Sequence, residues 1–394
     1  SSCNDLDHCR TKWSIIWSCL TTLFLCTWTA IHPNVPDIHD RAWLSLCRRL
    51  RFTVLLLYAP ETVIFFALRH RNAAARLAEQ YHGTGWTRTH GFFAIMGGYM
   101  LYDENDIPVR TLRVRNLNDD TLYFPNMTQD EIEDRSKGDM LSKGLVLFQT
   151  TWFVLQCIGR GVGRLPTTEL EITTLAFTVA NIGTYVFWWD KPLNVLRPVR
   201  VYKKSYRPNH KREEREKSHT PLSLYYPVCG EIIERSFKLL EATINSFHNE
   251  EQNVSYFNSA SETKIPAFYF GDDDTPENSH SLFSVLIGAG NSIIVSMLGI
   301  TTVLGAFHFI AWSFDFPTHT EQILWRISSI AMISSPMILA SFYKRTILKL
   351  VGFGLFYVYC NCRVFLLIES FVSLRSLPAG AYQTVEWTTF IPHI

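Results

Sequence analysis

Residues 350–374 read LVGFGLFYVYCNCRVFLLIESFVSL, and this stretch decides the class of fold. A helix needs about 20 mostly apolar residues to cross the ~30 Å hydrocarbon core of a bilayer. The stretch is longer than that, and Arg363 and Glu369 are its only charged residues. Because lipid cannot satisfy the backbone N–H and C=O groups of a lone strand, the stretch predicts a transmembrane helix.

Six other stretches have the same character and extend the prediction to the whole chain. Each is mostly apolar, and the charged residues lie largely between them. Together the seven predict an all-α fold, a polytopic bundle of about seven transmembrane helices. The six are Trp13–Ile31, Phe52–Leu68, Leu145–Ile158, Ile172–Trp189, Leu282–Trp312 and Ile323–Phe342.

The composition of the 394-residue chain agrees with a membrane protein. Hydrophobic residues make up 47% and charged residues 19%, whereas soluble proteins carry about 25% charged residues. The formal net charge is only +1, which gives no basic surface for nucleic acid. Membrane lipids are therefore the expected partners, and the sequence also permits a homo-oligomer. The expected location is the plasma membrane or an endomembrane.

The predicted spans divide the chain into six segments. Residues 86–101 carry an apolar part that is too short to cross a bilayer, which predicts a short interfacial or re-entrant helix. Residues 229–248 place apolar side chains at helical spacing, which predicts an amphipathic helix. The segments are 1–68 with two spans, the polar loop 69–144, 145–189 with two spans, the polar loop 190–281, 282–377 with three spans, and the tail 378–394.

The basic residues give conflicting indications of sidedness. Short cytoplasmic loops are rich in Lys and Arg. The basic cluster at residues 48–51 places the first loop inside and hence the N-terminus outside. Lys344, Arg345 and Lys349 place the last loop inside and hence the C-terminal tail outside. With seven crossings the two ends of the chain lie on opposite sides, so both indications cannot hold. An eighth crossing by residues 86–101 would reconcile them, and sidedness otherwise stays open.

Charged and amide side chains inside the predicted spans are the main candidates for a site, because such groups usually face a bundle interior or a watery cavity. Arg363 lies near the middle of its span and needs a partner. Glu369 is more than one and a half helical turns away and on another face, so Glu61 is the predicted partner. The group either fixes helix packing or lines a conduction path or substrate cavity. The candidates are Glu61, Asn181, Asn291, Asn361, Arg363 and Glu369.

Four more residues are interfacial candidates. Arg88 and His90 lie in a glycine-rich segment, where His90 either caps a short helix or transfers a proton or binds an anionic head group. Glu169 and Glu171 lie between two predicted spans. They form either an interfacial charge cluster or the ring of a vestibule.

Cys3 and Cys9 are the candidate disulfide. They lie close together in a polar N-terminal stretch, whereas most of the other cysteines lie in or beside apolar runs. A bridge between them requires an oxidising compartment. This agrees with an N-terminus outside the cytoplasm.

Five strings resemble a large family of uncharacterised multi-pass membrane proteins from filamentous fungi. The resemblance covers nearly the whole chain and implies a fungal membrane protein with many paralogues. It implies no activity and no functional residues. The strings are Cys26–Pro36, Trp86–Gly98, Asp134–Asp139, Trp188–Val195 and Trp387–Ile394.

No motif of a familiar enzyme chemistry is present in the sequence. It contains no Walker-type Gly-Lys-Ser/Thr loop, no His-Glu-x-x-His and no Gly-x-Ser-x-Gly. The acidic run at residues 272–277 has no second acidic cluster to match it, so no metal site is predicted, and no cofactor is implied. The first hypothesis for function is a channel or transporter for an ion or small molecule. The alternatives are a membrane-embedded enzyme acting on a lipid or terpenoid, and a receptor or scaffold.

Overall fold

The computed structural model of the chain describes residues 9–38, 40, 42–136, 139–205, 265, 269, 291–342 and 348–385. Most of these residues are helical, and a small sheet accompanies the long helices. The all-α prediction is therefore correct for the bundle and wrong in omitting the sheet. The predicted amphipathic helix at 229–248 and the candidate Cys3 lie outside the described residues.

The described residues form ten α-helices. Eight belong to the helical bundle or lead out of it, and two short ones, α4 and α5, accompany the sheet. They are α1 (Lys12–Ala30), α2 (Ala42–Tyr58), α3 (Pro60–Gln80), α4 (Arg88–Ile95), α5 (Gln129–Asp134), α6 (Asp139–Val162), α7 (Glu169–Phe187), α8 (Asn291–His308), α9 (His319–Phe342) and α10 (Leu348–Val372).

The prediction of seven spans is not met by the described residues. Four helices are long and apolar enough to cross a membrane, or five crossings exist if the bent pair α2–α3 is counted as one. α8 contributes a shorter apolar stretch, Leu298–Ser313. The four candidate spans are Lys12–Ala30, Lys143–Val162, Glu169–Phe187 and Tyr357–Arg375.

A proline divides the second predicted span into two helices. α2 ends at Tyr58, and Pro60 takes the first position of α3. Proline lacks an N–H and disfavours the helical conformation of the residue before it. Ala59 accordingly adopts φ −148° and ψ 72°, and the two helices meet at 113°. The break sets Glu61, in the first turn of α3, inside the bundle.

α7 is the central helix of the bundle. It packs against α1, α3, α6, α8 and α10. Small side chains on α7 permit this, since Thr173, Thr174, Ala176, Thr178 and Ala180 are all buried. The Thr178 hydroxyl donates to the Thr174 carbonyl at 2.8 Å, so it is satisfied within its own helix. α9 packs along both α8 and α10.

The sheet has four short strands in the order β2-β1-β4-β3. β1 and β4 are parallel, and the two outer pairs are antiparallel. β4 therefore brings a segment that follows α7 into contact with strands that precede α6. The strands are β1 (Tyr99–Tyr102), β2 (Pro108–Thr111), β3 (Leu122–Tyr123) and β4 (Val199–Lys203).

The segment 86–101 is not one interfacial or re-entrant helix. It contains α4 and then most of β1. Its apolar side chains Phe93, Met96 and Tyr99 are buried in the core of the sheet with Val201. Protein contacts therefore explain the apolar character that the sequence analysis assigned to a membrane surface.

A glycine permits the close packing of α4 on α3. A Cβ atom at Gly91 would lie 2.4 Å from the carbonyl oxygen of Ala74 and 2.8 Å from its Cα. Both are shorter than any normal contact, so only glycine fits without a shift of the two backbones. This contact joins the sheet to the bundle, because α3 belongs to the bundle and α4 to the sheet.

The first and last described residues meet at one end of the bundle. Cys9 forms a β-bridge with Gln383, and the backbone N–H of Arg10 donates to the Tyr382 carbonyl at 2.7 Å. The side chain of Arg10 donates to the Ala381 carbonyl at 2.6 Å. We call this end the terminal face, and the opposite end, which carries the sheet, the sheet face.

Large apolar side chains are exposed along the outside of α1 and α6. On each helix they recur every three or four residues, which places them on one face. Soluble proteins rarely expose so wide an apolar surface. The side chains are Trp13, Trp17, Leu20 and Phe24 on α1, and Leu145, Phe148, Trp152, Leu155 and Ile158 on α6.

Candidate functional site

Glu61 and Arg363 form an ion pair inside the bundle, as the sequence analysis predicted. Nη2 of Arg363 donates to Oε1 of Glu61, and each side chain is 2% exposed. α3 supplies Glu61 and α10 supplies Arg363, so the pair joins two helices that are far apart in sequence. The attraction of two opposite charges is strong in such a low-dielectric interior.

Aromatic side chains enclose the pair. Nη2 of Arg363 also donates to the Tyr359 hydroxyl at 3.3 Å. The guanidinium carbon lies 5.5 Å from the ring centre of Phe177 and 5.8 Å from that of Tyr359. Oε2 of Glu61 and Nε of Arg363 have no hydrogen-bond partner within the described part of the chain. The surroundings resemble a packed core more than a hydrated path.

The other pore candidates do not gather around this pair. Asn181 is buried and donates to the Phe177 carbonyl of its own helix at 2.8 Å. Asn361 is exposed and donates to the Tyr357 carbonyl at 2.7 Å. Glu369 is buried nearer the terminal face. Asn291 begins α8, and its side chain lies outside the described part.

Glu169 and Glu171 belong to a charge cluster at the terminal face. Arg10 donates to both carboxylate oxygens of Glu171, one contact being 3.0 Å long. Glu171 also accepts from the Thr168 N–H at 2.9 Å in the capping box of α7. Glu169 accepts from the Ser373 hydroxyl at 2.9 Å. These bonds tie the ends of α1, α7 and α10 together, which favours the interfacial-cluster interpretation.

His90 caps α4. Its Nδ1 accepts from the Thr87 N–H at 3.1 Å, and its Nε2 donates to the Met127 carbonyl at 2.9 Å. Both ring nitrogens are thus satisfied by the protein, as the capping interpretation requires. Arg88 forms a partly exposed ion pair with Asp190, with 3.4 Å between Nε and Oδ2.

Cys9 is disulfide-bonded. The described chain holds six free cysteines besides it: Cys19, Cys26, Cys47, Cys157, Cys360 and Cys362. The partner of Cys9 therefore lies outside the described residues, where Cys3 also lies. The pairing of Cys3 with Cys9 stays a prediction.

The sequence analysis missed Lys191, which lies in a small cavity at the sheet face. The side chain follows the end of α7 and is only 3% exposed. Its Nζ donates to the His32 carbonyl at 2.7 Å and to Oδ1 of Asn34 at 3.3 Å, and it lies 4.6 Å from the ring centre of Trp188. No carboxylate lies within ion-pair distance of Nζ among the described residues.

Burial without a counter-charge changes the acidity of this lysine. Removal from water disfavours the ammonium form and lowers the pKa of Lys191 to about 7. The same effect lowers the pKa of the buried His32 to about 3. His32 is therefore neutral at physiological pH, and Lys191 exists as a mixture of ammonium and free amine.

The cavity also contains buried polar atoms without partners. Nδ1 of His32 lies 3.0 Å from the Ala30 carbonyl and so carries the proton of the neutral ring. Nε2 of His32 is then an acceptor, and Nε1 of Trp188 is a donor. Neither has a hydrogen-bond partner among the described residues. Such atoms in a native interior usually indicate a bound water or ligand.

Aromatic and aliphatic side chains complete the cavity, whose free volume of about 20 Å³ has room for about one water molecule and continues into space open to solvent. Phe52 and Phe66 approach it from α2 and α3. The lysine, the histidine and the indole therefore surround a space that is otherwise apolar. The lining residues are Ile31, His32, Pro33, Asn34, Phe52, Val63, Phe66, His70, Trp188 and Lys191.

The sequence carried a partial signal for this cavity. His32 and Asn34 lie in one of the strings quoted for the fungal resemblance, and Trp188 and Lys191 lie in another. A lysine just beyond an apolar run ordinarily reaches the membrane surface. The sequence alone therefore did not predict that Lys191 is buried. The described residues hold no cluster of His, Cys, Asp or Glu suited to a metal ion.

Comparison with known proteins identifies a family and no activity. No curated protein and no solved structure matches the chain. A family of unknown function, DUF8562, matches residues 5–208 and 343–394, which include the Lys191 cavity and both members of the Glu61–Arg363 pair. These two ranges make up more than half of the chain, and the chain therefore belongs to the DUF8562 family.

Proposed function

We propose that the chain is an integral membrane protein that binds an amphipathic small molecule in the Lys191 cavity, with an oxygen-bearing head at Lys191. The observation that carries the proposal is the burial of Lys191 without a carboxylate partner among the described residues. An unpaired buried charge is costly. A ligand oxygen would lower that cost.

The membrane part of the proposal rests on the apolar helices. Four pass the length and hydropathy criteria, and α1 and α6 expose wide apolar faces. α8 packs against α7, and α9 packs against α8 and α10, so we count them as crossings too. α2 and α3 enter and leave at the sheet face, since Arg49 donates to the Trp28 carbonyl and Arg71 to the Val186 carbonyl. This gives six crossings and one re-entrant pair.

Six crossings remove the conflict between the basic loops. With an even number, both ends of the chain lie on one side, as their contact at the terminal face requires. The disulfide at Cys9 indicates that this side is oxidising. The sheet face is then cytoplasmic, and so are the basic residues 48–51 and the Lys344–Arg345 loop. The Lys191 cavity would open near the cytoplasmic boundary of the bilayer.

The class of ligand follows from the groups in the cavity. Lys191 and Trp188 offer N–H donors, and His32 offers an acceptor. Phe52, Phe66 and the ring of Trp188 line the cavity, and an apolar chain would lie along its solvent-open part. A molecule with a carbonyl or carboxyl head on a hydrocarbon chain meets both requirements. The resemblance to fungal membrane proteins supports the same membrane setting.

The test is to identify what purifies with the protein. Wild type, Lys191→Met and Lys204→Met would be purified in mild detergent, and bound molecules would be extracted and measured by mass spectrometry. Lys204 is exposed at the end of β4 and serves as the control. We expect a stoichiometric amphipathic molecule in wild type and Lys204→Met that is depleted in Lys191→Met. Equal amounts in all three, or none in wild type, would contradict the proposal.

A channel or transporter is the second candidate. It is favoured by the partnerless Oε2 of Glu61 and Nε of Arg363 within the bundle, because such atoms could contact water along a path. The aromatic rings over the pair argue against a wide path. Flux measurements in liposomes on wild type and on Glu61→Gln with Arg363→Gln would test it. If the double variant has the same flux as wild type, Glu61 and Arg363 do not line a conduction path.

A further inference from the structure

We infer that Lys191 is a covalent site, whose amine forms an imine with an aldehyde or ketone group on the molecule held in its cavity. This inference rests on the proposed function and specifies the chemical class of the head group. It follows from the hydrogen bonds of Nζ, from the burial of the cavity and from the partnerless atoms in its wall.

The hydrogen bonds of Nζ suit a neutral amine. A free amine has two N–H groups and one lone pair, whereas an ammonium has three N–H groups. Two oxygen acceptors lie within hydrogen-bond distance, the His32 carbonyl and Oδ1 of Asn34. The two bonds use both hydrogens of the amine. The remaining tetrahedral position is then free for the lone pair.

Burial keeps a large fraction of this amine unprotonated. Lysines that form imines are activated by desolvation in an apolar pocket, and the pKa of Lys191 is lowered to about 7 for that reason. Near neutral pH the unprotonated fraction of such a lysine is on the order of 10³ times that of an exposed lysine with a pKa of about 10.4. This larger unprotonated fraction distinguishes Lys191 from the exposed lysines of the sheet.

The reaction balances without a further reactant. The nitrogen lone pair attacks the carbonyl carbon and gives a carbinolamine, in which the former carbonyl oxygen has taken one hydrogen from the amine. The C–O bond then breaks as the C=N bond forms, and the oxygen leaves as water with the second amine hydrogen. Nε2 of His32 and Nε1 of Trp188 line the space where that water would be released.

The charged groups around the cavity define its pH dependence. His32 and His70 face the lysine from the α1 end and from α3, and Arg49 and Lys143 lie near His32. His32 stays neutral above about pH 3. The rise in reactivity between pH 6 and 8 is therefore assigned to Lys191.

The experiment is reductive trapping on the full chain in detergent micelles. Protein would be incubated with octanal and sodium cyanoborohydride at pH 6, 7 and 8, and alkylation of each lysine would be quantified by peptide mass spectrometry. We expect Lys191 to be alkylated at least about tenfold faster than Lys204 at pH 7, given its larger unprotonated fraction. The rate should rise from pH 6 to 8 and then level off. Butanal would serve as a short-chain comparison and should react less selectively.

The alkylation rates of Lys191 and Lys204 are compared within one wild-type sample. The comparison therefore does not depend on whether any variant folds. Alkylation of Lys191 no faster than Lys204 would overturn the inference. Lys191→Arg, which keeps a positive charge but cannot form an imine with an alkyl aldehyde under these conditions, should lose the fast phase. If trapping fails while a co-purified molecule still depends on Lys191, the covalent step is wrong and the binding function stands. If both fail, both are wrong.

Discussion

At the scale of single residues, two of the buried cations in the described part of the chain have different kinds of partner. Arg363 has the carboxylate of Glu61 as its partner, whereas Lys191 has only neutral oxygens. The first could be predicted, because a charge in the middle of an apolar run demands a partner of opposite sign. The second could not, since Lys191 follows the run and nothing in its neighbours shows that residues 32–34 cover it.

The Glu61–Arg363 pair should be needed for stability. Removing one partner of a buried ion pair costs about 3 to 5 kcal/mol, because the other charge stays buried without compensation. We expect that loss for Glu61→Gln, measured by denaturant unfolding in detergent. Glu61→Leu combined with Arg363→Met should recover most of it, since an apolar pair needs no counter-charge. A double variant no more stable than the single one would contradict this account.

Lys191 should make stability depend on pH in the alkaline range. Its pKa is about 7 in the folded protein and about 10.4 when unfolded, so between these values the unfolded chain binds more protons. Stability therefore rises as pH increases from about 7 to 10. Lys191→Met should flatten this rise, and Lys204→Met should not. Thermal melting across pH 6 to 10 measures it, and equal slopes in all three proteins would refute it.

At the scale of elements, long helices were predictable and short strands were not. The stretches Trp13–Ile31, Ile172–Trp189 and Leu350–Leu374 match α1, α7 and α10 within a few residues, because apolar length alone identifies them. β1 and β4 are four and five residues long and pair across about a hundred residues of sequence. No local sequence pattern predicts that these two short strands pair.

The contact between α3 and α4 depends on one glycine. Gly91→Ala should force the helices apart and cost about 1 to 3 kcal/mol, as overpacking does, because the new Cβ would meet the Ala74 backbone. Gly83→Ala is the matched control, since nothing lies within 4 Å of that position. Hydrogen exchange should show faster opening of β1 in Gly91→Ala only. Equal exchange in both variants would show that the contact is not needed.

At the scale of the whole molecule, the number of crossings determines which surfaces share a compartment. The sequence predicted seven, whereas the described residues hold four helices that are long and apolar enough to cross, or five if the bent pair is one span. In the proposed topology, the 113° bend at Ala59 returns the chain to the side from which it came. Counting this pair as re-entrant changes the proposed number of crossings from odd to even, and with it the proposed side of both polar loops.

The proposed sidedness predicts the pattern of glycosylation in a eukaryotic host. The sequon at Asn126 lies near the sheet, on the proposed cytoplasmic side, and should carry no glycan. A sequon peptide appended after Ile394 should be glycosylated, because Tyr382 and Gln383 lie at the terminal face. We expect endoglycosidase to shift the mass of the protein that carries the appended sequon and not that of the protein without it. A glycan on Asn126 would reverse the orientation.

The pairing of Glu61 with Arg363 also imposes an order on biosynthesis. The ribosome makes Glu61 about three hundred residues before Arg363, so α3 exists throughout most of translation without its counter-charge. Until α10 is released, the carboxyl group must stay protonated, stay hydrated or be sheltered by the insertion machinery. A nascent chain stopped before residue 363 would thus present an unneutralised acid in the membrane, a defect by which the cell could distinguish unfinished copies from complete ones.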